Sequence, residues 1–159
     1  MGNRDYTILY TDEDKNILKI AEDSLDRKID RVNEIIEYCK EAGIKKIGIA
    51  NCTTFIRETN RLETILTKKG FTVDKVHCKL GKVPFNSFVP DYKGISCNPA
   101  GQAKYLAEKG TELNIMIGLC LGHDMIFNSK SEAPVTTLVV KDRKEKHQTL
   151  NVLQETKIN

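Results

Sequence analysis

The chain has 159 residues and a mass of 18.0 kDa, the size of one ordinary domain. Hydrophobic residues make up 40% and charged residues 30%, a balance that excludes a largely disordered chain. The net charge of +3 is too small to imply a nucleic-acid partner, and the lysines alternate with acids instead of forming a patch. Apolar runs such as Pro134–Val140 are too short to span a bilayer, and the polar Met1–Asp5 lacks the pattern of a leader. Five cysteines in such a chain are expected to be reduced thiols in a cytoplasmic protein.

The first third reads as helix. Thr11 followed by Asp12, Glu13 and Asp14 is an N-terminal signature, a hydroxyl cap and then acids favoured by the helix dipole. Ile17, Leu18, Ala21, Leu25, Ile29, Val32, Ile36 and Cys39 recur at helical spacing over 12–42, with a break expected near Asp23–Ser24 and Gly43 as the stop. From there short apolar runs alternate with helices. Strands are expected at Ile44–Ala50, Phe71–Cys78, Leu113–Leu119 and Pro134–Val140, the last buried on both faces. Helices are expected at Thr54–Lys69, Asn98–Lys109 and Leu121–Lys130, the second capped by Asn98 with Pro99 at its first position.

Alternating strands and helices imply an α/β fold in three layers, built on a four-stranded, mainly parallel sheet. Right-handed crossovers make 2-1-3-4 the natural strand order. The expected organisation is one domain over 1–159: a helical region at 12–42, a Rossmann-like core at 44–140 and a tail at 141–159. In that order strands one and three are neighbours whose connections leave on opposite faces. Open α/β sheets bind ligands at such a switch point, beyond the carboxyl ends of the strands.

The cysteines fall where that argument looks. Cys52 follows strand one, Cys78 ends strand two, Cys120 follows strand three, and Cys97 precedes a helix. Cys52, Cys97 and Cys120 also stand at helix N-termini, where a thiolate is stabilised. His123 lies one helical turn from Cys120, close enough in sequence to share a metal or to form a thiolate–imidazolium couple. Cys39, on an apolar helix face, reads as core filling. No Cys-x-x-Cys spacing occurs, so neither a zinc ribbon nor a ferredoxin-type motif is indicated. Arg57 in the first turn after Cys52, and Lys79 beside Cys78, are the cations counted as contacts for an anionic ligand or cofactor. His77 alternates away from Cys78, and His147 lies in a charged tail where solvation is expected. The stretch Lys79–Cys97 lacks periodicity and reads as a functional loop, with Phe85, Phe88 and Tyr92 available to cover a site.

At these residues the chain resembles an uncharacterised prokaryotic family often labelled predicted metal-binding protein. The resemblance covers about 31–153. It rests on Lys46-Ile47-Gly48-Ile49-Ala50 with Cys52 and Arg57, on Cys78-Lys79, and on Cys97-Asn98-Pro99 with Gln102. Its most specific parts are Gly118-Leu119-Cys120 with Gly122-His123-Asp124, and Ala133–Val139 followed by Lys141-Asp142-Arg143 and His147. The resemblance also implies a cysteine-rich N-terminal segment, which departs from this chain: residues 1–38 contain no cysteine.

Three readings follow. In the first, Cys52, Cys78, Cys97 and Cys120, with His123 as ligand or support, hold zinc or an iron–sulfur cluster. The second is a metal-free thiol enzyme in which Cys120 and His123 act on a small anionic substrate. The third is a non-enzymatic small-ligand domain whose cysteines merely pack. The partner in each is a small molecule or a metal, with no nucleic acid and no membrane.

Overall fold

A computed structural model describes residues 4–154. Residues 1–3, within the polar opening segment, and 155–159, at the end of the tail, lie outside the described residues. The chain divides into two compact units, Met1–Ile44 and Lys45–Asn159. The first unit holds α1 (Asp12–Asp23) and α2 (Arg31–Glu41). Thr11 and Asp14 form a reciprocal capping box on α1, and Asp30 caps α2 by accepting from the N–H groups of Val32 and Asn33. The helical region is therefore interrupted, as the spacing predicts, but over 24–30 and not at a single point. Ile35, Ile36 and Cys39 of α2 are buried, as core filling requires of Cys39.

The second unit contains β1 (Lys46–Asn51), α3 (Ile56–Lys68), β2 (Thr72–His77), α4 (Pro99–Glu108), β3 (Leu113–Ile117), α5 (His123–Lys130), β4 (Val135–Val139) and α6 (Leu150–Gln154). The four strands form one sheet, all parallel, in the order β2-β1-β3-β4. Helices cover both faces. A right-handed β1-α3-β2 crossover and a β2-α4-β3 crossover running the other way must leave α3 and α4 on opposite sides. α5 then joins α4, and the two helices pack together.

Burial follows position in the sheet. Ile47 and Ile49 of β1, Ile115 and Ile117 of β3, and Leu66, Leu106 and Phe127 on the helices are all buried. β4 departs from expectation, being half-buried with Thr137 exposed. It is an edge strand, so one flank of its backbone and part of its side chains lack a neighbouring strand. Asn114, also buried, is satisfied by a polar chain: Thr111 Oγ1 donates to its Oδ1 (2.8 Å), and its Nδ2 donates to Ser131 Oγ (2.8 Å). Among the described residues no helix is long and apolar enough to cross a membrane.

One glycine decides the shape of the carboxyl edge. Gly118, just past β3, has φ +60°, and a Cβ there would lie 2.0 Å from Cε2 of Phe55. The ring occupies the volume that any side chain would need. Replacing Gly118 with alanine combines a left-handed conformation with a clash against the packed Phe55 ring, each costing roughly 1–3 kcal/mol. The Gly118→Ala variant is expected to lose about 3 kcal/mol of stability in urea unfolding; a loss within experimental error would contradict this packing.

Candidate functional site

Parallel pairing runs past the ends of the strands and stitches the carboxyl edge together. Cys52 N–H donates to Ile117 O (3.1 Å), Cys78 N–H to Asn51 O (2.8 Å), Asn98 N–H to Cys78 O (2.7 Å) and Gly118 N–H to Val139 O (2.8 Å). The buried Gln102 side chain on α4 reinforces this edge, its Nε2 donating to Val76 O (2.9 Å) and Asn51 O (3.3 Å). Backbone register thus brings the segments carrying Cys52, Cys78 and Cys97 side by side.

Cys52 is 6% exposed and meets a cation. Lys141, two residues after β4, places Nζ 2.9 Å from its Sγ and 3.1 Å from Thr54 Oγ1. The Thr54 hydroxyl is itself 3.6 Å from the sulfur. Burial pushes the thiol up, but the Lys141 hydrogen bond, the Thr54 N–H and hydroxyl, and the Lys141 charge outweigh it, and the sulfur ionises at about 6 in place of 9.0. Cys52 is therefore a thiolate at neutral pH. Phe55 lies beneath this contact, with Lys141 Nζ 5.7 Å from its ring centroid.

Cys78 is the opposite case. It is 2% exposed, and burial pushes it up to about 11, against the Thr53 N–H that donates to its sulfur. The adjoining Cys97 side chain and the charge of Cys52 push the same way. Cys78 is held protonated between its two neighbours. Cys120 is half-buried, and Arg143 Nη2 lies 3.3 Å from its Sγ. His123 opens α5, its N–H donating to Cys120 O (2.9 Å). Burial, and then the charge of Lys79, lower the His123 pKa, against the opposing pull of Asp124. Its imidazole is accordingly neutral at pH 7, and the cation on Cys120 is Arg143.

The remaining residues divide. Arg57 is exposed in the first turn of α3. Lys79 spends its ammonium on the loop, donating to Ile95 O at 2.6 Å. That loop folds back on itself through a Pro84–Ile95 bridge and a Phe85–Tyr92 stack at 4.9 Å, leaving Phe88 and Tyr92 exposed. His77 is exposed, and its Nδ1 accepts from Lys79 N–H (3.2 Å). His147 is not the solvated tail residue its charged surroundings suggest. Its ring packs edge-on against Phe55 (4.6 Å), its Nδ1 accepts from Asp142 N–H (3.1 Å), and its own N–H donates to Asp142 O (2.7 Å). This clasp closes the turn that delivers Lys141 and Arg143. Among the described residues, no three His, Cys, Asp or Glu side chains are grouped so as to hold a metal ion.

Lys141 and Arg143, which the sequence offers only as part of the family resemblance, and Thr54 were not expected at the site. The signal was present: Lys141 and Arg143 follow the fourth strand at the edge where ligands bind, but in a run of charges they looked like solvated tail.

Residues 4–138 match the model of a family described as protein of unknown function, DUF1847. The chain belongs to that family. The DUF1847 match includes Cys52, Cys78, Cys97, Cys120 and His123 and ends just before Lys141 and Arg143. An uncharacterised protein of Methanocaldococcus jannaschii is 44% identical over 128 residues, covering 77% of this chain and 66% of that protein. The chain thus spans about two thirds of the length of the curated relative it matches.

The Cys52 contact has a measurable sign. An ionisation lowered by folding adds stability that is complete above the unfolded value of 9.0 and is lost as pH falls through about 6. Removing the cation in a Lys141→Met variant is expected to raise the pH midpoint of Cys52 alkylation from about 6 toward 9.0. At pH 7 a full shift would cut the thiolate fraction ~100-fold while the more basic sulfur regained ~20-fold in nucleophilicity, a net slowing of ~5-fold. Above pH 9 the variant should react faster than the parent. Parallel pH profiles for the two proteins would refute the assignment.

Proposed function

We propose that this protein is a thiol-dependent catalyst in which Cys52 attacks a small anionic substrate at the switch point. The observation that carries the reading is the 2.9 Å contact between Lys141 Nζ and Cys52 Sγ, beside the rung that joins β1 to β3. A buried thiol with no task needs no cation; a nucleophile does, because the thiolate is the attacking form. Arg143, exposed and 3.3 Å from Cys120 Sγ, supplies a second cation on the other side of the switch point. Cys52 thus takes the nucleophile's place, and Cys120 lies where it helps to define the anion's surroundings. In the attack a bond forms from Cys52 Sγ to the electrophilic atom, and the bond to the leaving group breaks with its electron pair.

The metal reading fits this donor set less well. Cations already face Cys52 and Cys120, where a metal ion would have to sit, and a closed structural site needs four donors around one point. Two measurements separate the readings. Iodoacetate is expected to modify Cys52 before the other four cysteines at pH 7. Its rate relative to neutral iodoacetamide should exceed that of a free thiol and fall in an Arg143→Gln variant. Anaerobically purified protein should carry well under one equivalent of zinc or iron, and chelation should leave its thermal midpoint unchanged. Uniformly slow thiols, or a stoichiometric metal whose removal destabilises the protein, would overturn the proposal.

A further inference from the structure

Cys52 and Cys78 directly follow the ends of two paired strands. The last register pair between β1 and β2 is Asn51 with His77, closed by the Cys78 N–H to Asn51 O bond of 2.8 Å. Cys52 and Cys78 are the next residue on each side of that pair. Neighbouring strands lie ~4.8 Å apart, inside the ~4.4–6.8 Å Cα separation that a disulfide spans. Side chains in register leave a sheet on the same face. The Cys78 sulfur accepts from the N–H of Thr53, the residue directly after Cys52, which places it against the nucleophile's own turn. Structural thiols have no need of such an arrangement, one charged and held by lysine, the other neutral and sealed at 2% exposure.

We infer that Cys78 is the resolving partner of Cys52, and that the chain carries out thiol–disulfide exchange with small anionic disulfides. This rests on the proposed role of Cys52 and names the class of its electrophile. In the first step the Cys52 thiolate attacks one sulfur of the substrate disulfide. A mixed disulfide forms, the substrate S–S bond breaks with its electron pair on the departing sulfur, and that thiolate takes up a proton. In the second step Cys78 gives up its proton and attacks Cys52 Sγ. The Cys52–Cys78 disulfide forms and the second substrate thiolate leaves. Two electrons pass from the protein dithiol to the substrate, and an external thiol reductant restores the starting state. The first step prepares the second. Once Cys52 is in a mixed disulfide its negative charge is gone, so one of the causes that hold Cys78 protonated disappears, and Lys141 is released to stabilise the new thiolate.

The test uses the reduced full chain and glutathione disulfide as probe, with acid quenching, alkylation and peptide mass spectrometry. The expected result is transient glutathione on Cys52, then a Cys52–Cys78 disulfide with two equivalents of glutathione released. Cys78→Ser should stop at the Cys52 mixed disulfide with one equivalent released; Cys78→Ala serves if serine is not tolerated at this buried position. Cys97→Ser should still release two. A wild-type chain that stalls at one equivalent, or that forms Cys78–Cys97, overturns the inference while leaving Cys52 as the nucleophile. A chain in which neither glutathione disulfide nor iodoacetate singles out Cys52 overturns both.

Discussion

The hydrogen bond from Cys52 N–H to Ile117 O is the point on which the carboxyl edge turns. It is the last rung between β1 and β3, the two strands whose connections leave on opposite faces, and beyond it the chain must part. Cys52 is in extended conformation (φ −74°, ψ 147°), and one turn of 3-10 helix at Thr53–Phe55 follows before α3 begins. That turn carries the Thr54 hydroxyl and N–H to the sulfur and swings Phe55 under Gly118. A side chain at Gly118 would displace the ring, and with it the surface against which His147 and Lys141 rest.

The electrostatics of the edge follow from burial with and without a counter-charge. Cys52 and Cys78 are both almost fully covered, and burial penalises the charged form of each. Only Cys52 has an ammonium within hydrogen-bond reach. Neighbouring thiols just past paired strands therefore sit on opposite sides of neutral pH, and the charge of Cys52 helps to keep Cys78 protonated. This is how two chemically identical side chains take up different charge states: the difference lies in what the segment leaving β4 brings to one of them.

Much of the fold was legible in the sequence because it is written in local periodicity and punctuation. Asn98 with Pro99, the Thr11 hydroxyl cap, and the glycines after α2, α3 and α4 mark boundaries that the structure places within a few residues. Right-handed crossovers left few strand orders, and the natural one for so small a sheet is the order observed. The edge character of β4 was not legible, since Val135, Leu138 and Val139 are as apolar as a central strand and nothing local says which strand lacks a neighbour. For the site, topology located the cysteines but could not rank them. Cys120 and His123 looked paired because they share a helical turn, whereas the structure gives Cys120 an arginine and leaves His123 neutral. The residue that distinguishes Cys52 lies 89 positions further along the chain, a separation that no spacing rule reports.

The clasp between Asp142 and His147 has a consequence for how that distinction is maintained. Lys146 and His147 both adopt positive φ (51° and 69°), a conformation that non-glycine residues hold only when surrounding contacts require it. Here those contacts are the paired Asp142–His147 hydrogen bonds and the edge of Phe55. The turn lies beyond β4, so no strand pairing depends on it. The charge state of the sulfur is thus set from outside the sheet: the cation that Cys52 meets is delivered by a turn that no strand pair needs.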